Sequence, residues 1–205
     1  MLGLVRRRCY FVSDVKRRRC LYLSLVRSQF EHCSPVWRPT CYTMLQRFEN
    51  LQKCCIKWIL AEEYISYSTV NVYIRKCREV DLLPLAQRFD LNDLILFHKV
   101  VYNLIPLNFP SYLNFFDGNS RLRSCHLDHL SIVNTTCLNK YSHNLNKSFF
   151  YRTHTLWNAL PLDIREIKET CTFKSVVTRR FWNSVLTDND TEFDLNASSS
   201  SENSG

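Results

Sequence analysis

Apolar and polar positions alternate along most of this chain at helical steps. Val15, Tyr22, Val26, Phe30 and Cys33 recur at intervals of three, four or seven and predict the buried face of one helix. Ser13 or Asp14 is placed to cap it, because a short oxygen-bearing side chain accepts from the first free N–H groups. Pro35 and Pro39 then end the helix and hold Trp37 in a rigid corner. Thr40 is placed to cap a second helix with the stripe Leu45, Phe48, Leu51, Gln52, Cys55 and Ile59; Arg47, Lys53 and Lys57 fall mostly opposite. Residues 61–81 are less regular. A third helix begins near Pro84, buries Leu91, Leu94, Ile95, His98, Val101 and Tyr102, and stops before Pro106 and Pro110. Phe115 to Asn119 reads as a turn, and residues 120–150 as short strands or irregular chain. Thr172 is placed to cap a last helix that buries Phe173, Val176, Val177, Phe181 and Val185.

Composition narrows the function. Only three glycines occur among 205 residues, which excludes phosphate loops, dinucleotide fingerprints and nucleophile elbows, all built on clustered glycine. No apolar run is long enough to span a membrane, and Arg6–Arg8 is not followed by the apolar block of a secretory signal. The expected setting is therefore inside the cell, nuclear or cytoplasmic, and not secreted. Ten cysteines then read as reduced thiols, most of them small apolar fillers, Cys33 and Cys55 among them.

Charge is uneven. Residues 1–60 carry 12 Lys/Arg against 3 Asp/Glu, a net of +9, whereas residues 61–205 carry 15 against 16, a net of −1. A field of that sign in the first third points to a polyanion as partner, or to a solvated basic face.

The order of residues says more than their periodicity. Leu21-Tyr22-x-Ser24-Leu25-Val26-x-Ser28-x-Phe30-Glu31-His32-Cys33-Ser34-x-Val36-Trp37-x-Pro39 resembles the stretch just after the polymerase palm in reverse transcriptases of non-LTR (LINE-type) retrotransposons. Leu2-Gly3-Leu4-Val5-Arg6-Arg7 resembles the segment before it, so the chain is expected to start inside the family pattern. Leu45 to Lys53, Arg78 to Leu85 with Arg88, Asp93, Leu94, Phe97 and Lys99, and Phe149 to Arg165 with Phe173-Lys174 resemble later segments, the last carrying Arg152 and Trp157-Asn158-x-Leu160-Pro161. The resemblance covers roughly residues 2–182. It implies the thumb and post-thumb portion of an RNA-directed DNA polymerase, which grips RNA, DNA or an RNA–DNA hybrid by its backbone. The fingers and palm would be a partner outside this chain.

Catalysis is not expected. Polymerisation needs paired carboxylates holding two metal ions, supplied in the family by an aromatic-Ala-Asp-Asp turn that binds Mg2+. No Asp-Asp pair occurs here, and Leu60-Ala61-Glu62-Glu63 falls at a helix end instead of a hairpin tip. Adjacent His32 and Cys33 point about 100° apart on a helix and make no nucleophile–base pair. Cys125, His129, Cys137 and His143 are spaced Cys-x3-His-x7-Cys-x5-His, which matches no standard zinc knuckle and reads as scattered thiols and surface histidines.

The expectation is a mainly α fold without cofactor or metal. Residues 1–60 would form a basic, thumb-like helical unit and 61–117 a helical connection. Residues 118–186 would hold an irregular or β segment, the Trp-Asn-x-Leu-Pro block and the last helix. Residues 187–205 would be a disordered acidic and serine-rich tail. Backbone contacts to nucleic acid are assigned to Arg6, Arg7, Arg8, Lys16, Arg17, Arg18, Arg19, Arg27, Lys53 and Lys57. The rival expectation is a purely structural or degenerate helical domain.

Overall fold

The structure is a computed structural model that describes residues 2–62, 70–115, 130–134 and 148–199. They are mainly helical, as expected. Two compact units arise, and they do not follow the sequence boundaries at 60 and 117. The first gathers residues up to 32, 41–88 and the chain from 178, the second 33–40 and 89–177.

The first unit contains α1 (Leu2–Arg8), α2 (Val15–Leu21), a π-helical stretch (Tyr22–Arg27), α3 (Ser28–Glu31), α5 (Tyr42–Leu60) and α6 (Val70–Glu79). Asp14 is the N-cap of α2, its carboxylate accepting from the Arg17 N–H at 3.1 Å. The switch to π geometry has a local cause. Ser24 Oγ donates to the Cys20 carbonyl at 2.9 Å and Ser28 Oγ to the Ser24 carbonyl at 2.6 Å, competing with the helical ladder for the same oxygens. The wider turn brings Val26 and Arg27 both inward beside Tyr22. The α-helical reading of this face is therefore right at Tyr22, Val26 and Phe30 and wrong at its ends. Val15 is exposed, and Cys33 is exposed in the left-handed region, φ 52°, where the helix breaks after α3. Cys41, not Thr40, precedes α5.

The second unit begins with α4 (Ser34–Trp37), the proline corner. It continues through Phe89 to Val101 of α7 (Leu85–Val101) and pairs β1 (Leu113–Phe115) antiparallel with β2 (Ile132–Asn134). Next come α8 (Phe149–Asn158), α9 (Leu162–Arg165) and the start of α10 (Thr170–Ser199). Trp157, Phe97, His98 and Phe173 are all fully buried here. The His98 ring lies on Phe173 with centroids 4.3 Å apart and 24° between planes. Its Nε2 lies 2.7 Å from the Ile167 carbonyl, which can only accept, so Nε2 carries the proton. Trp157 Nε1 donates to the Leu130 carbonyl, and the Asn158 amide exchanges two bonds with Ile132, tying α8 to β2. Thr172 lies inside the first turn of α10 and donates to the Glu169 carboxylate. The α10 backbone continues to Ser199, through most of the stretch expected as a tail.

Scarcity of glycine shapes the helix ends. α5, α6 and α7 end on left-handed residues, normally glycine, yet here they are Ala61 (φ 57°), Asp81 (φ 51°) and Asn103 (φ 53°). Each end is closed by a backbone bond reaching five residues back: Glu62 to Lys57 at 2.9 Å, Leu82 to Cys77 at 2.8 Å and Leu104 to Lys99 at 2.8 Å.

Ala61 has no side-chain oxygen to compensate for that conformation, so Ala61→Gly is expected to stabilise the protein by about 1 kcal/mol. A urea midpoint unchanged or lowered would refute it. Burial lowers the His98 pKa below the ordinary histidine value. The unfolded chain therefore takes the proton first: the contribution is complete above about pH 6.5 and is lost as pH falls through the folded value. Relative to wild type, His98→Gln is expected to flatten the fall in melting temperature between about pH 7 and 5.

Candidate nucleic-acid interface

Ten cations were expected to meet a polyanion, and the structure divides them. Arg7, Arg8, Lys16 and Arg17 are exposed, Arg7 and Arg8 on the last turn of α1, Lys16 and Arg17 on the first turn of α2. The side chains of Arg8 and Lys16 make no hydrogen bond or ion pair among the described residues. Arg7 reaches back to its own helix at the Gly3 carbonyl, and Arg17 lies 3.9 Å from Asp14 with its side chain 82% exposed, a weak surface pair. Arg6, Lys53 and Lys57 are half-buried. Lys53 Nζ stands 5.2 Å from the centre of the Tyr73 ring.

The other three cations are structural. Arg27, assigned a contact to a nucleic-acid backbone, is buried and binds Glu31 at 2.6 Å; the π turn is what carries it inward. Arg18 donates to the Val12 carbonyl at 2.6 Å and the Trp58 carbonyl at 2.8 Å, and its guanidinium lies 5.7 Å from the centre of the Trp58 ring. Arg19 donates to the Val80 and Asp81 carbonyls at 2.6 and 3.0 Å and pairs with the Asp81 carboxylate at 2.9 Å. These two neighbours thus staple α2 to the ends of α5 and α6. Long aliphatic stems with forked donors suit this work, and sequence spacing gives no sign of it.

Each carboxylate of the basic third is engaged. Asp14 caps α2. Glu31 accepts from Arg27 and, in a two-pronged pair, from Arg88 at 2.6 and 3.0 Å. Burial alone would raise its pKa; the two guanidinium groups outweigh that and lower it. Glu49 accepts the Leu85 N–H at the start of α7 and the Tyr73 hydroxyl, while burial raises its pKa. Burial also pushes the Cys55 and Cys77 thiols up to about 12, which makes them inert fillers.

Tyr10 and Phe11 carry no role in the sequence reading. They stand 79% and 72% exposed at the tip of the turn between α1 and α2. A basic–aromatic–basic order over residues 6–19 was the available signal. Among the described residues no three His, Cys, Asp or Glu groups converge on a point that could hold a metal. Cys125, His129, Cys137 and His143 lie outside the described residues. Glu62 binds Lys76 at 2.6 Å, beyond the helix end that Ala61 makes. No helix among the described residues is long and apolar enough to cross a membrane. No family model, curated protein or solved structure matches the chain.

Arg18→Ala and Arg19→Ala are each expected to destabilise the protein by about 1–3 kcal/mol, the range for charged hydrogen bonds left unmade. Denaturant midpoints measure this. Wild-type stability in both variants would mean that the staples carry no load.

Proposed function

We propose that the chain binds nucleic acid non-specifically, through phosphate contacts from Arg7, Arg8, Lys16 and Arg17, with the half-buried Arg6, Lys53 and Lys57 adding to the local field. One observation carries this reading. Four of the five exposed cations in the first sixty residues share two consecutive helices, the fifth being Arg47 on α5, and of the three carboxylates there only Asp14 lies beside any of the four. Such an arrangement holds a polyanion without reading its sequence. The resemblance of the residue order to the thumb and post-thumb of non-LTR reverse transcriptases supports the same reading, with RNA, DNA or their hybrid as ligand inside the cell and a fingers–palm portion as partner. Polymerisation is not part of the proposal, since no Asp-Asp pair occurs in the chain. Mg2+ belongs to the family palm and has no assigned residues here.

The test is the salt dependence of affinity for an RNA–DNA hybrid. Binding should weaken linearly on logarithmic axes as salt rises, by about 0.9 per phosphate neutralised on a B-form duplex. Arg7→Ala, Arg8→Ala, Lys16→Ala and Arg17→Ala combined should flatten the slope by about 3 to 4. Salt-independent binding, or an unchanged slope in the combined variant, would favour the rival reading of a purely structural helical domain. Primer extension with Mg2+ should yield no product above background.

A further inference from the structure

We infer that Tyr10 and Phe11 form a stacking platform for unpaired nucleobases, so that the favoured ligand is a single strand or the frayed end of a duplex. The inference rests on the nucleic-acid reading above and adds a second kind of contact to it. The Val12 N–H donates to the Cys9 carbonyl at 3.1 Å, closing a four-residue turn with Tyr10 and Phe11 as its two central residues. Turn tips are normally given to glycine, proline, asparagine or aspartate. Two aromatic rings there have no local conformational purpose. They meet edge to face, centroids 5.8 Å apart and planes 86° apart, and both are largely open to solvent. The turn is also anchored. Arg18 Nε holds the Val12 carbonyl at 2.6 Å while its Nη1 holds the Trp58 carbonyl at 2.8 Å, which ties the end of the turn to α5. A cation expected to bind phosphate thus fixes the segment that displays the rings.

The charges on either side choose the occupant. Arg7 and Arg8 directly precede the turn, and Lys16 and Arg17 open the helix that follows it; all four are exposed. A purely apolar partner would leave these cations unmatched. A polyanionic strand with exposed π-faces satisfies both features: phosphates meet the cations, and bases stack on the rings or on each other. Inside a duplex the base faces are already covered, so the platform discriminates in favour of unpaired bases.

Two ligands of equal charge separate the terms: a strand of about ten thymidines and an abasic strand of the same length. Full-length protein should bind the thymidine strand more tightly than the abasic one by about 5- to 150-fold per stacked ring. Tyr10→Ala with Phe11→Ala should erase that ratio and leave abasic affinity and its salt slope unchanged. Tyr10→Trp with Phe11→Trp should restore it, with indole fluorescence quenched by the thymidine strand alone. Lys16→Ala with Arg17→Ala should weaken both ligands equally. Equal affinity of wild type for the two strands, or a ratio that survives the double alanine variant, would overturn the platform; the first result leaves phosphate binding standing and makes the tip a surface for something other than bases. Failure of wild type to bind either strand would remove the nucleic-acid reading and the platform together.

Discussion

Gln52 is the constraint on which the first unit depends. Its amide is fully buried and makes three hydrogen bonds: the Tyr22 hydroxyl donates to Oε1 at 3.1 Å, and Nε2 donates to the Tyr73 hydroxyl at 3.1 Å and the Leu83 carbonyl at 2.9 Å. One side chain on α5 thereby joins the π stretch, α6 and the turn before α7. A buried amide without these partners would cost several kcal/mol, so only helix registers that supply all three are low in energy. Glu49, one turn earlier, extends the network by capping α7 at Leu85 and accepting from Tyr73. Apolar residues around it supply the driving force, and Gln52 decides which packing they adopt.

Each unit repeats a second device, a carboxylate gripped by two arginines. In the first, Glu31 sits between Arg27 and Arg88. In the second, Asp93 has a side chain 1% exposed and accepts from Arg152 at 2.7 and 3.2 Å and from Arg38 at 3.1 Å; Arg38 also binds Asp90. Arg152 reaches on to the Pro35 carbonyl, and Asn92 donates to Ser34. Three stretches far apart in sequence, around Pro35, Asp93 and Arg152, therefore close on one carboxylate. Pairs of this kind are modest sources of net stability but severe penalties when broken, so they favour a single arrangement.

The same device changes the meaning of the charge. A net of +9 in residues 1–60 suggests a uniformly basic surface, yet Arg18, Arg19, Arg27 and Arg38 face inward to carbonyls and carboxylates. What remains exposed is smaller and better defined: Arg47 on α5, and four cations on α1 and α2 that flank two exposed rings. Arg18 links the two roles, since the fold uses it to hold the turn whose tip is proposed to stack on bases.

Much of this was legible in the chain. Apolar spacing located Tyr22, Val26 and Phe30 and the stripe through Gln52, Cys55 and Ile59. The prolines located the corner at α4, the cap was narrowed to Ser13 or Asp14, and His98 was recognisable as a packed residue. Those features are local: a helix face, a cap and a proline each act within one or two turns. The sequence by itself therefore settled the helical class, the centres of the core faces and the excess of positive charge. The division of Lys and Arg between staples and surface was decided only in three dimensions, because a guanidinium finds its acceptor across forty or sixty residues, as Arg18 does at Trp58 and Arg19 at Val80. Spacing along one helix carries no record of which distant carbonyl will be left free to meet it.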